Sequence, residues 1–162
     1  MNSLAGATSV HTTVEDDFHA WLLEQAALLR NKQFALLDWS SIAEELEAMA
    51  GEQKRELRRR LATIYEHLLK LYHEPEGRRE RGRKLTLAKT RNAITTLLEE
   101  SPGLKGHLQD LAEKAYLDGC RYAGTDLGLT RRQWEKTFSR TSPWSLKQIL
   151  DDDFFPPASK SK

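Results

Sequence analysis

A chain of 162 residues with 39% hydrophobic and 30% charged residues has the size of one ordinary domain, able to bury roughly 70% of its unfolded surface. Its 25 basic and 24 acidic residues nearly cancel to a net charge of +1. That excludes a whole-molecule field for attracting nucleic acid or anionic membrane, so any electrostatic partner needs a local patch. Cys120 is the single cysteine, which excludes an intramolecular disulfide and a cysteine-built metal site.

Residues 1–12 are small and polar without periodicity, and read as a disordered lead-in. They lack the basic start and apolar run of a secretion signal. No stretch reaches the length needed to span a bilayer, so no membrane partner is expected and the expected compartment is the cytoplasm. Thr13 and Asp16 form a near capping box ahead of a first helix. That helix carries Phe18, Trp21, Leu22, Leu28 and Leu29 on one face and ends near Asn31. Asp38 reads as the next N-cap, opening a stripe of Trp39, Ile42, Leu46 and Met49 at spacings of three and four. The stripe resumes as Leu57, Leu61, Ile64, Leu68 and Leu71 after a four-residue shift through Gln53. Gly51 lies in the weak stretch and costs about 1 kcal/mol relative to alanine. The pattern therefore predicts one long helix over 39–73, locally bent near Gly51, with a kinked pair as the alternative.

Glu74-Pro75-Glu76-Gly77 stops this helix. A third runs from about Gly82 to Glu99 with Leu87, Ile94 and Leu98 inward. Ser101-Pro102 reads as a serine N-cap with proline in the first helical position. The fourth helix then carries Leu104, Leu108, Leu111, Ala115 and Tyr122 and ends by Gly128. Thr130 to Gln133 repeats a capping box before a short helix through Trp134. Ser142-Pro143 repeats the serine–proline start before a last short helix, Trp144 to Leu150. Asp151 to Phe155 follows, then Pro156-Pro157 and a flexible tail to residue 162. Nothing alternates with a period of two for long enough to be a strand. The expected fold is an all-α helical bundle with about four main helices and two short C-terminal ones, forming a single domain over 13–155.

Several segments together resemble a known family: Trp21-Leu22…Gln25…Leu28-Leu29-Arg30, Leu37-Asp38-Trp39, Ile42-Ala43-Glu44-Glu45-Leu46-Glu47 and His67-Leu68-Leu69-Lys70. Ser101-Pro102, Pro143-Trp144 and Gln148-Ile149-Leu150-Asp151…Asp153-Phe154 complete the ordered set. In this set the chain resembles the bacterial family known as domain of unknown function 29, over roughly Phe18 to Phe155. The resemblance implies an all-helical fold and carries no activity with it.

Candidate chemistry is sparse. Glu44, Glu45, Glu47 and a later His67 suggest a carboxylate–histidine site. On a continuous helix, however, Glu45 and His67 lie roughly 33 Å apart at the standard rise. Asp16/His19 and His107/Asp110 offer only two ligands each and read as surface ion pairs. Cys120, one turn after Tyr116, reads as a buried spacer. No nucleophile motif and no phosphate loop occurs, so neither cofactor nor metal is expected. The four tryptophans read as core anchors, with Trp134 and Trp144 also placed to edge a partner groove.

Charge is the strongest local signal. Arg78 to Arg91 holds seven basic residues (Arg78, Arg79, Arg81, Arg83, Lys84, Lys89 and Arg91) against Glu80. Lys54, Arg55, Arg58, Arg59 and Arg60 form a second cluster, whereas Asp38 to Glu52 holds five acids and no base. The 78–84 loop, with the rest of the basic run, suits nucleic-acid phosphates; otherwise it is simply solvated, or it pairs with the acidic segment of this chain or of a twin. No aromatic residue interleaves its arginines to stack on bases. The leading expectation is a non-enzymatic protein-interaction module that pairs with itself or another protein. The alternatives are a nucleic-acid-binding, regulatory protein using residues 78–84 and, behind it, a metal-dependent enzyme.

Overall fold

A computed structural model of the chain describes residues 12–74 and 79–157. The disordered lead-in expected before Thr12, the stop at Pro75-Glu76-Gly77, Arg78 and the tail after Pro157 lie outside the described residues. The described residues form six α-helices, two 3₁₀ segments and no strand. The helices are α1 (Phe18–Arg30), α2 (Trp39–His73), α3 (Glu80–Glu100), α4 (Leu108–Asp126), α5 (Arg131–Thr137) and α6 (Leu146–Leu150). The all-α class and the single long helix over 39–73 are thus as the periodicity predicts. One glycine inside two strong apolar stripes does not outweigh the hydrogen bonds that continue through it. The chain divides into two compact units, the first closing at Ala50 and the second opening at Gly51.

In the first unit, α1 starts one turn later than Thr13 suggests. Thr13 and Asp16 do pair, at 2.8 Å, but the cap is Asp17, whose Oδ1 accepts the Ala20 N–H at 2.9 Å. The helix closes with Lys32 at φ 58°; the Gln33 N–H reaches the Leu28 carbonyl and the Lys32 N–H that of Leu29. This is a Schellman turn made with a lysine in place of the usual glycine. After the 3₁₀ segment Phe34–Leu36, Asp38 opens α2 by accepting the Ser41 N–H at 3.2 Å. Gln25 fixes that corner, its Oε1 accepting the Asp38 N–H at 3.0 Å. The buried set is small: Trp21, Gln25, Leu28 and Leu37. Phe18, Leu22 and Leu29, expected inward, are exposed, and so is Trp39.

The second unit holds a continuous core. Leu57, Leu61, Ile64 and Leu68 of α2, Leu87 and Ile94 of α3, and Ala115, Tyr116 and Ala123 of α4 are all buried, together with Phe138, Trp144 and Ile149. Small residues at Ala112, Ala115, Gly119 and Ala123 let α4 lie close to α2. A Cβ on Gly119 would sit 2.6 Å from the Tyr65 Cβ and 3.0 Å from the Ala62 carbonyl oxygen. The Ser101-Pro102 restart is 3₁₀ over Pro102–His107, and Ser101 makes no side-chain cap. Gly103 and Gly106 weaken α-helical propensity there, so α4 begins only at Leu108. Tyr122, expected inward, is exposed. Gly128, at φ 70°, closes the helix. Thr130 and Gln133 form the expected capping box of α5. The cap of α6 is Ser145 with Gln148, one turn past the predicted Ser142. The Ser142 hydroxyl is engaged in a turn with the backbone of Trp144 instead.

Candidate functional site

The segment expected as a loop at 78–84 is helical from Glu80 onward, in the first turns of α3, and its described cations divide between solvent and structure. Arg79 and Arg81 are exposed. Arg83 is 6% exposed, and its Nη1 donates to the carbonyls of Lys70 at 3.2 Å and Glu74 at 3.0 Å while Nη2 meets the Glu74 carboxylate at 2.9 Å. It therefore adds a second bond to the Lys70 carbonyl, which already accepts the Glu74 N–H at 2.8 Å, engages the Glu74 carbonyl just past the end of α2, and complements that helix dipole. Lys84 pairs with Glu80 at 2.6 Å and lies 5.2 Å from the Phe155 ring centroid. The loop's described carboxylate partners are thus the local Glu74 and Glu80.

Beside Arg83, the buried Lys70 meets Glu66 at 2.6 Å and Asp126 at 2.8 Å. Lys70 holds the Asp126 carboxyl below the usual aspartate range, with weaker help from Arg79 and Arg83. His67 borders this cluster, and burial pushes its imidazole below the ordinary histidine range. Its Nδ1 is buried without a hydrogen-bond partner among the described residues. Glu44, Glu45, Glu47 and His67 all belong to the one helix α2, as in the continuous-helix reading that separates them. No group of three or more histidine, cysteine or carboxylate side chains among the described residues is arranged to hold a metal. Burial also pushes the Cys120 thiol up to about 11, far from the thiolate a nucleophile requires.

The arginines of the second basic cluster are spent along their own helix and on α4. Arg55 and Arg59 pair with Glu52, Arg59 and Arg60 with Glu56, and Arg58 with Asp118. Arg91 goes furthest from the solvated reading, at 1% exposed. It donates to the carbonyls of Ile149 at 2.9 Å, Asp152 at 3.2 Å and Phe154 at 2.9 Å, tying the C-terminal segment to α3. Burial lowers its pKa, against the pull of Asp152 and Asp151.

Two surfaces remain uncommitted. In the first unit, Phe18, Leu22, Leu23, Leu29, Phe34, Leu36, Trp39, Leu46 and Met49 are 40–66% exposed, nine of the thirteen large apolar side chains exposed among the described residues. That unit supplies only about a quarter of those residues. In the second unit three depressions lie beside α4. They measure about 500, 340 and 490 Å³ and all include Leu117, with much of their remaining lining drawn from Leu129 to Leu146. The signal for them in the sequence is the one-turn repeat Gln109, Glu113, Leu117, Arg121 and Thr125, which sequence reasoning passed over. The tryptophans at their edge are the two that sequence reasoning marked.

The fold is that of an all-helical protein, and no described helix is long and apolar enough to cross a membrane. A model of the family described as Domain of unknown function DUF29 matches residues 14–155. The chain belongs to that family. No curated protein and no solved structure matches it.

Proposed function

We propose that this chain is a non-enzymatic protein-interaction module that associates with a second copy of itself through the apolar surface of its first unit. The observation that carries the proposal is the concentration of exposed large apolar side chains there. Leu46 and Met49 are 61% and 66% exposed, on a helix whose Glu44 and Glu47 lie on the other face by helical spacing. Single exposed leucines are ordinary, but patches of them mark interaction sites, and here Phe18, Leu22 and Leu29 recur at helical spacing on α1 while Leu46 and Met49 lie one turn apart on α2. The nucleic-acid reading draws less support, because Arg83 and Lys84 are engaged within the fold and leave Arg79 and Arg81 as the loop's exposed described cations.

Light scattering on the eluting protein tests this. At micromolar concentration the mass should be twice 18.6 kDa, and Leu46→Asp with Met49→Asp should return it to the monomer with helicity retained. A wild-type monomer at high concentration, or a double variant that remains paired, would refute the proposal.

A further inference from the structure

We infer that the first unit of one copy docks on the outward face of α3 of the other, the face that carries Arg81, Leu85 and Lys89. The inference rests on the self-association proposed above and names the surface that the first unit meets on the second copy.

The two units differ in charge. Met1–Ala50 holds eight acids against Arg30 and Lys32, a net −6; since the whole chain carries +1, Gly51–Lys162 carries +7. Around the exposed Leu46 and Met49, the side chains of Glu44, Glu45 and Glu47 make no ion pair among the described residues. Two first units set face to face would press two acidic surfaces together, and like charges oppose association. The same unit set on the second unit of its twin brings opposite charges together, which steers the encounter and fixes the orientation.

Within the second unit, α3 offers the matching face. It buries Arg83, Leu87, Arg91, Ile94 and Leu98, so by helical spacing Arg81, Leu85 and Lys89 lie on the opposite side. Leu85 is 55% exposed, and Arg81 and Lys89 are exposed one turn to either side of it. Neither cation makes an ion pair or a hydrogen bond among the described residues. Arg79 adds a third exposed guanidinium just before the helix.

The nearby acids do not cancel this charge. Glu80 is taken by Lys84 at 2.6 Å. Glu99 and Glu100 lie about 15 Å past Lys89 at the helical rise. The segment holding Asp151, Asp152 and Asp153 is tied to Arg91, two residues from Lys89 and so on the opposite side of the helix. A leucine between free cations is the counterpart of Leu46 and Met49 among free carboxylates. A nucleic acid would meet the cations alone. The first unit of a second copy meets the leucine as well, and arrives at the same concentration as the face it covers. Two reciprocal contacts close the pair.

Sedimentation equilibrium of the intact chain tests this between about 0.01 M and about 1 M sodium chloride, over which the screening length falls from about 30 Å to about 3 Å. The dissociation constant should rise about tenfold or more over that range, as attraction between opposite charges is screened. Arg81→Glu with Lys89→Glu, and separately Glu45→Lys with Glu47→Lys, should each weaken pairing about tenfold or more at low salt, with the helicity and melting temperature of the monomer retained. An equimolar mixture of these two variants should pair again, because each first unit then faces an α3 of opposite sign. Association that tightens with salt, or that survives Arg81→Glu with Lys89→Glu unchanged, would mean that the first units meet each other; that overturns the α3 face and leaves self-association standing. If that variant pairs as the parent does but loses salt-sensitive binding of a random-sequence duplex, the α3 face belongs to nucleic acid and the inference fails. A parent that is monomeric at every salt concentration overturns self-association and the inference together.

Discussion

The two units treat the same kind of sequence in opposite ways. Both draw on α2, whose apolar residues recur at spacings of three and four on either side of Gly51. After Gly51 the stripe is sealed: Leu57, Leu61, Ile64 and Leu68 are each 0% exposed. Before it, Leu46 and Met49 are among the most exposed apolar residues described. Periodicity reports that a helix has an apolar face; it does not report whether the chain itself supplies the cover. The second unit has α3, α4 and the C-terminal segment for that purpose, while the first has one helix and a 3₁₀ turn.

Matched truncations break this symmetry most sharply. Leu61→Ala should cost about 4 kcal/mol, the lost transfer energy plus a cavity in a packed core. Leu46→Ala, measured by urea unfolding at concentrations low enough to leave the protein monomeric, should stay within about 0.5 kcal/mol of the parent. Raising the concentration should open a gap between Leu46→Ala and the parent, because association stabilises the folded state by mass action. Equal destabilisation by the two variants at low concentration would mean that Leu46 is covered within one chain.

Much of the helix order was legible because it rests on local chemistry. Asp38 as a cap, the Thr130–Gln133 box, the close at Gly128 and the continuity of α2 are short-range matters of hydrogen bonding and propensity. Near misses were local as well: Asp17 displaced Thr13, and Ser145 displaced Ser142, because each offers an equivalent cap one turn nearer the apolar run. What escaped is tertiary. Arg83 and Arg91 read as members of a solvated basic run, although their positions extend the inward series Leu87, Ile94 and Leu98 at helical spacing. A cation on an apolar stripe signals a carbonyl partner elsewhere, but only the fold identifies Ile149, Asp152 and Phe154 as that partner. The depressions beside α4 were missed because much of their lining comes from residues 129–146, which no local pattern places beside Leu117.

Arg91 sharpens the comparison from the other side, as the polar residue the second unit buries in order to hold its C-terminal segment. Arg91→Met keeps the apolar stem and removes three charge-assisted bonds. The loss should be about 2 kcal/mol, less than the three bonds would sum to, because the exposed segment around Asp152 regains water at its carbonyls. Hydrogen exchange should show the local character: amides from Leu150 to Phe155 exchange faster, while those from Leu57 to Leu68 keep their protection relative to the global unfolding limit. A uniform loss across both stretches would show that the segment and the core unfold as one.

The smallest expected effect is the pH dependence contributed by His67 and His73, both held below their ordinary value of 6.5, chiefly by burial. The carboxylates of Glu66 and Asp126 pull the His67 pKa up, while Lys70 and Arg83 push it further down. Protonating its buried Nδ1 would also create a donor with no acceptor. With folded-state values below the unfolded ones, the unfolded chain takes up protons first as the solution is acidified. The stability tied to neutral imidazoles is therefore intact above pH 6.5 and declines as pH falls through 6.5 toward the folded-state values. Carboxylates held low, Asp126 and Glu56 among them, add a separate loss below their ordinary values of 3.8 and 4.5. Melting temperatures recorded from pH 7.5 to 5 should drop modestly in the parent. The drop should flatten in the His67→Gln, His73→Gln variant, whose side chains carry no titrating group, while the acid loss near pH 4 remains. An unchanged slope in that variant would assign the effect to other groups and leave the buried imidazoles without a part in it.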